Sequence, residues 1–543
     1  MRPFAEGETL SPHKGELRQL AVRGAGVTVL SGGFALAIQI ASTVILSRLL
    51  APHDFGVVAM VTTFSLLISN FGLNGFTEAI VQREKVDHAL ASTLFWINLS
   101  AGLLLTLGFA SAGTLLARFY HDTQVRIVAI AIAPTIVLTS TSVIHLALLK
   151  RAMQFPRVSF NDILARLLGI TVSIILGSAG CGYWALIAGA LTIPLSTTIG
   201  AWILCRWVPG FPRHVAGTKA AVAFALHTYG RFSFNYFARN TDNLLVGWRF
   251  NATALGFYKK AYDMFTLTAN QLVGSIYDVA VSTLSRVRDD SAQYRRYLLG
   301  ALTFMVFIGM GISAELTVTG KDIIRVLLGP RWEPSGRIFT FFGPGIGIMV
   351  LYHTHGWIHL SIGRADRWFR WGIVEFFVTF LLFIAALPWG PVGIAIAWTS
   401  SFWILTVPAF WYAGKPINLS IRPILGLVWK YVVAALTAGL VTESAMQAVS
   451  SLKNASGAAG AFLRIAIASV FLVLVYLACI VLLHGGTKPL QEVATIVSDF
   501  VPRRLLQHKA LDSEVQPANC AMAPGKGESG VRTPGEPALT PCD

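Results

Sequence analysis

Apolar runs of roughly 20 residues recur along this chain from Ala25 to Leu483, each long enough to cross a hydrocarbon layer about 30 Å thick as a helix. Lipid offers the backbone no water to bond to, so a spanning segment must satisfy its own peptide groups as a helix or close into a barrel. These runs are too long and too uniformly apolar for the alternating strands of a barrel, which are about ten residues each. The expected fold class is therefore an all-α polytopic membrane protein. Composition agrees: 54% of the 543 residues are hydrophobic and 13% are charged, whereas a soluble domain carries about 25% charged residues.

Fourteen spans are expected, the first near 25–49, the seventh at 229–249 and the last at 460–483. The segments predicted to face the cytoplasm hold 22 Lys and Arg, and the opposite loops with their flanks hold 12. The positive-inside rule then puts both termini in the cytoplasm. The first span is read as retained, because no signal-peptidase site follows it. The expected organisation is a cytoplasmic segment 1–24, a lobe of six spans at 25–206, a cytoplasmic linker at 207–228, a second lobe at 229–413, two additional helices at 414–483 and a cytoplasmic tail at 484–543. The tail reads as an amphipathic helix, with Leu490, Val493, Val497, Phe500 and Val501 on one face, followed by a disordered stretch rich in Pro, Gly and Ser.

A faint internal echo supports two pseudo-symmetric lobes. LSRLLAPHDFGVVAM (46–60) and VGWRFNATALGFYKKA (246–261) each carry an arginine at a helix end, a short polar turn and then Phe55-Gly56 or Leu255-Gly256. Six spans separate the two, so the repeats share an orientation, as for lobes related by an axis along the membrane normal.

Ionisable residues inside spans cost at least about 2.5–3.5 kcal/mol at mid-membrane unless they face a bundle interior or a water-filled cavity. Glu78, Arg166, Arg231, Arg239, Asp242, Asp263, Asp278, Glu315, Glu375 and Glu443 are such residues. The seventh span, within RFSFNYFARNTDNLLVGWRF (231–250), concentrates them. Arg239, Asp242 and Asn243 are spaced i, i+3, i+4 and share a face that Asn235 extends by one turn, with Arg231 and Arg249 flanking. One reading is that Arg239 and Asp242 neutralise each other between packed helices. The other is a polar wall of an aqueous cavity, where arginine forks would hold an anionic group such as pyrophosphate.

Other features carry less. His353, His355 and His359 lack an accompanying HExxH carboxylate and read as amphipathic histidines near a helix end. GPGIGI (343–348) lacks the Lys-Ser/Thr of a P-loop and reads as helix packing or a kink. Five cysteines without CxxC spacing form no disulfide or metal framework. The net charge of +16 is largely topological, with some left for anionic lipid heads or an anionic substrate, and needs no nucleic acid. No nucleotide site, catalytic dyad, metal site or cofactor is called for.

ILSRLLAPHDFGVVAM (45–60), NFGLNGFTEAIVQRE (70–84), ALLKRAMQFPRVS (147–159), FSFNYFARNTDNLLVGWRF (232–250), LGFYKKAYDM (255–264), VLLGPRWEPSG (326–336) and LSIGRADRWFRW (360–371) occur in an order and spacing that resemble the Wzx-type polysaccharide transporters. These are flippases of the multidrug/oligosaccharidyl-lipid/polysaccharide exporter superfamily, and the resemblance is greatest to the colanic-acid type. It covers about 25–430; the last two spans follow by hydropathy only. It implies two lobes around a central cationic cavity that opens alternately to each side, in a bacterial inner membrane. The implied cargo is an undecaprenyl-pyrophosphate-linked oligosaccharide for exopolysaccharide, capsule or O-antigen synthesis. A polysaccharide polymerase and assembly proteins would be its partners. On this resemblance Arg231, Arg239 and Arg249 would line the cavity with Asn235 and Asn243, and Arg48 and Arg166 are further candidates. Coupling to a proton or sodium gradient would need a titrating carboxylate, for which Asp242 and Glu78 are the candidates.

Two other readings remain at this point. A membrane polysaccharide polymerase or ligase would act on the same lipid-linked sugars, but such enzymes resemble chains with a large outer loop, and the outer loops here are short, the longest being 319–336. A transporter of the same superfamily could carry another cargo, a peptidoglycan precursor or a cationic drug, the latter expected to need an acidic cavity.

Overall fold

A computed structural model describes residues 14–81, 83, 86–213, 215, 217–449, 457–491, 493 and 495. Within them lie sixteen α-helices, three short 3-10 helices and no β-strand. The helices are α1 (Lys14–Leu49), α2 (Pro52–Val81), α3 (His88–Tyr120), α4 (Gln124–Ile132), α5 (Pro134–Arg151), α6 (Phe155–Ser178), α7 (Tyr183–Cys205) and α8 (Thr218–Arg249). They continue with α9 (Ala252–Arg286), α10 (Ser291–Leu328), α11 (Glu333–His353), α12 (His355–Ser361), α13 (Ala365–Ala386), α14 (Gly390–Gly414), α15 (Arg422–Ala448) and α16 (Gly457–His484).

Each of the fourteen expected spans falls on helix. The fourth is broken between α4 and α5 at Ala133-Pro134, where proline lacks the donor a continuous helix needs, and the tenth between α11 and α12 at Thr354. Ten helical stretches are long and apolar enough to cross a membrane, one of them 365–417, which contains both α13 and α14. α8, α9 and α11 fall outside that criterion because their polar residues lower the hydropathy. Two boundaries differ from expectation. The stretch 319–336, read as a loop, is helical as far as Leu328, and α8 begins at Thr218 inside the expected linker. The chain forms two compact units, Met1–Gly485 and Gly486–Asp543. Most of the tail, including Val497, Phe500, Val501 and the stretch read as disordered, lies outside the described residues, as does the segment 1–13.

Local signals in the loops set the helix starts. Asp54 accepts from the Ala51 N–H at 2.9 Å, Asp87 from Leu90, Asn251 from Ala254 and Asp290 from Ala292 and Gln293. Each satisfies amide groups that the first turn cannot. The 206–217 connection is strapped to α3: the Trp96 indole donates to the Gly210 carbonyl, and Thr93 bonds the Arg213 backbone in both directions. Around it lies an apolar core that includes Phe76, Ile80, Leu94, Phe95, Ile144 and Trp207.

α2 is packed between the other first-half helices and α8 and α9. α10, α11, α13 and α14 group together, and α15 and α16 pack on one another and on α10. The GPGIGI stretch lies in α11 and serves this packing: a Cβ on Gly347 would stand 2.8 Å from the Gly309 carbonyl of α10.

The tightest crossing joins the two echoed sequences. A Cβ on Gly56 would lie 1.6 Å from the Ala252 carbonyl oxygen, and one on Gly256 would lie 1.9 Å from the Pro52 carbonyl oxygen. In each case the glycine of one helix meets the residue four positions before the glycine of the other. The first turns of α2 and α9 therefore cross reciprocally, as two copies of one element related by a pseudo-two-fold would. Small residues let helix backbones approach closely in lipid, where burial of apolar surface supplies no driving force.

Gly56→Ala and Gly256→Ala should each destabilise this end by about 1–3 kcal/mol through overpacking. Because both methyls wedge the same crossing, the double substitution should cost clearly less than the sum of the singles. Thermal unfolding of the purified variants in detergent reads this, and simple additivity would rule out a shared crossing.

Candidate functional site

α8 is the polar helix that its sequence announced, but Arg239 and Asp242, spaced to share a face, meet different surroundings. Asp242 is fully buried, and its Oδ2 accepts from the Tyr258 hydroxyl of α9 at 2.7 Å and from the Trp398 indole of α14 at 2.9 Å. Its Oδ1 is buried without a partner, as is Oδ1 of the adjacent Asn243, whose Nδ2 reaches Asn240 at 3.5 Å. Arg239 instead has an exposed side chain, and it makes no ion pair with Asp242. The neutralised pair allowed by the sequence is thus not formed. Asp242 is satisfied by neutral donors, and the Arg239 guanidinium lies within electrostatic reach of Glu375 and His353. Asp242 and Asn243 present no side chain to an open cavity in this conformation.

The remaining α8 candidates are spread out. Arg231 and Arg249 are 18 residues apart, about 27 Å along a helix, so one phosphate cannot touch both. Arg249 is exposed at the helix end beside Phe250, and the side chains of Arg231 and Asn235 lie outside the described residues. Glu78 is exposed toward the far end of α2. α2 and α8 run antiparallel, with Tyr236 bonded to the Thr63 carbonyl at 2.7 Å and Tyr229 to that of Leu67 at 3.0 Å. That register separates Glu78 from Asp242 by about 30 Å along the axes, so the two carboxylates form no common ion site.

The structure brings cations together elsewhere. A cavity of about 310 Å³ lies between α1, α2, α6, α7 and α9, with Arg166, Lys259, Lys260 and Asp263 as its charged lining. Arg166 pairs with Asp162 at 2.8 Å on its own helix, and Lys259 pairs with Asp263. Lys260 makes no such pair among the described residues. Only 9% exposed, its ammonium sits 4.1 Å above the ring of Phe55 on α2. A buried charge is costly unless compensated, and a ring face compensates only in part. With Arg166 offset by Asp162 and Lys259 by Asp263, the single charge of Lys260 leaves the wall net positive, suited to an anionic group. In the sequence Lys259 and Lys260 read as flanks of an outer loop. Helical spacing did not separate them, since Asp263 is i+4 from Lys259 and i+3 from Lys260; only the packing shows that it pairs with Lys259.

Arg48 is structural. It donates to the Val326 carbonyl at the end of α10 at 2.7 Å, beside the Trp332 indole bond to the Ser47 carbonyl at 2.8 Å. His355 and His359 are buried at the α11–α12 break, with their rings 5.9 Å apart, and do not lie on an amphipathic surface.

Residues 45–337 match the model of a family described as polysaccharide biosynthesis proteins. The chain belongs to this family. It is 23% identical over 437 residues to the teichuronic acid biosynthesis protein TuaB of Bacillus subtilis, which covers 79% of this chain and 87% of that protein. It is 21% identical to the succinoglycan biosynthesis transport protein ExoT of Rhizobium meliloti, over 65% of this chain and 72% of that one. Its fold is shared with the lipid II flippase MurJ in an inward closed conformation, with a TM-score of 0.66 at 15% identity, covering 84% of this chain and 98% of that chain. The family resemblance read from the sequence therefore holds, and the chain is a multi-pass membrane protein among transporters, not enzymes.

Because Asp242 depends on two neutral donors, Tyr258→Phe should destabilise the protein by about 1–3 kcal/mol by leaving a buried carboxylate short of a bond. Asp242→Asn, which keeps an acceptor in place, should unfold closer to the unaltered protein. A melt series on the three proteins decides, and equal stabilities would mean that the Tyr258 bond contributes nothing.

Proposed function

We propose that this chain is a flippase that moves an undecaprenyl-pyrophosphate-linked oligosaccharide from the cytoplasmic to the periplasmic leaflet of a bacterial inner membrane. The observation that carries this reading is the cationic cavity holding an unpaired Lys260, lined by helices from both halves of the chain. A sugar diphosphate cannot cross hydrocarbon unaided, whereas its prenyl tail can stay in the bilayer, so a cationic groove for the head is sufficient. The kinship with a named transport protein and the fold shared with a named lipid flippase support the same class.

In this reading α8, α9 and α11–α12 also span the membrane, completing two six-span lobes, 25–206 and 229–413, with α15 and α16 as an addition. The positive-inside distribution puts both termini in the cytoplasm and the Gly56/Gly256 crossing at the periplasmic end. Arg166, Lys259 and Lys260 take the diphosphate, and Arg239 serves it as the cavity changes shape. Asp242, buried with one free carboxylate oxygen and no cationic partner, is where a coupling proton or sodium ion would bind, and its occupancy would bias the two states through differential affinity. Glu78, far from it, acts separately.

The test is a reconstituted flipping assay. The chain is placed in vesicles containing a fluorescent prenyl-pyrophosphate oligosaccharide, and an impermeant quencher reports how much lipid has changed leaflets. Arg166→Gln and Arg239→Ala should insert normally and slow flipping by at least about tenfold each, the loss of one charge-assisted contact. Asp242→Asn should abolish the dependence of the rate on an imposed ion gradient. Unaltered rates in all three would remove the reading.

A further inference from the structure

Lys260 stands one turn after Gly256, at the point where α9 crosses α2, and the ring it covers belongs to the other side of that crossing. Phe55 meets the Trp332 ring edge-on at 5.4 Å, and Trp332 in turn meets Phe257 at 6.0 Å and bonds the Ser47 carbonyl. Arg48 completes the closure through the Val326 carbonyl. Phe55 thus carries the Trp332 ring on one side and, from the cavity, the Lys260 ammonium. Its nearest acid, Asp263, is engaged by Lys259. The ammonium therefore belongs at once to the closed end and to the anion-seeking wall.

We propose that Lys260 is a ligand-operated catch: seated on Phe55 it holds the Trp332 end closed, and a phosphate ester entering the cavity draws the ammonium off the ring and lets that end open. This rests on the cavity being the seat of an anionic head, as proposed above. The physical reason is competition for one cation. A ring offers an ammonium the attraction of a quadrupole, whereas a phosphate oxygen offers full negative charge and accepts its N–H groups. The ligand binds more tightly where Lys260 is free to meet it, and that difference in affinity shifts the population toward the open state. The catch works on the phosphate chemistry, whether it comes from a free diphosphate or from a prenyl diphosphate.

The test uses the full chain with its five native cysteines replaced and spin labels at Ala51 and Arg331, both exposed and on opposite sides of the closure. The inter-label distance and direct calorimetric binding are measured with inorganic pyrophosphate and, separately, with geranylgeranyl pyrophosphate. The expected result is one short distance without ligand and a longer population when ligand is bound. A response to both compounds shows that the diphosphate suffices, and a response to the prenyl form alone shows that the lipid is also needed. Lys260→Met removes the catch and should populate the longer distance without ligand, lengthen no further when ligand is added, and bind about tenfold or more weakly, while Lys260→Arg, which keeps the charge, should restore the short distance and the binding and guard against misfolding as the cause. Phe55→Leu should populate the longer distance without ligand. Binding to the unaltered chain without lengthening would overturn the catch alone, as would a Lys260→Met variant that keeps the short distance without ligand. No binding of either compound would overturn both the catch and the cavity reading beneath it.

Discussion

A peptide group inside hydrocarbon has no water to bond, and every other feature of this protein follows from that constraint. It makes the spanning segments helical, and it also removes the usual reason for helices to associate, since lipid solvates an apolar face as well as a neighbouring helix does. What brings the helices together is close backbone approach and a few polar bonds. The crossing of α2 and α9 shows the first, with carbonyl oxygens occupying the space where Cβ atoms of Gly56 and Gly256 would be. The tyrosines that reach from α8 to carbonyls of α2 show the second.

The same constraint sorts the charges by how each is compensated. Asp242 is enclosed and receives two neutral donors on one carboxylate oxygen, while the other oxygen is buried without a hydrogen bond from the described residues. Arg464, bound by both oxygens of Asp322 at 2.5 and 2.8 Å, is compensated outright and ties α16 to α10. Lys260 falls between the two: it is buried, carries a charge and is held on an aromatic face that a stronger partner can displace. A transporter needs interactions of this last kind, strong enough to favour one conformation and weak enough to be exchanged for ligand.

Most of the fold was legible in the sequence. The recurring apolar runs place the helices, and Asp54 in the first turn of α2 and Asn251 just before α9 are the capping side chains that start them. The echo between 46–60 and 246–261 pointed to a repeat, and the reciprocal contact of Gly56 and Gly256 is its physical expression. The density of polar residues in α8 was equally visible. Helical spacing put Arg239, Asp242 and Asn243 on one face but could not tell which neighbour each would meet; Tyr258 and Trp398 lie 16 and 156 residues from Asp242.

The sequence by itself determined that this chain crosses a membrane as helices and which family it resembles, because hydropathy, helix length and local capping are properties of neighbouring residues. Only the tertiary structure decided where the cationic surface lies. Arg166, Lys260 and Phe55 come from three helices distant along the chain, and whether a charge is cancelled or left over depends on which side chains the packing brings within a few ångströms. Lys259 and Lys260 are adjacent and chemically identical, yet one is neutralised by Asp263 and the other faces a ring and a cavity. Coulombic compensation acts through space, so no pattern in the linear order could have separated them.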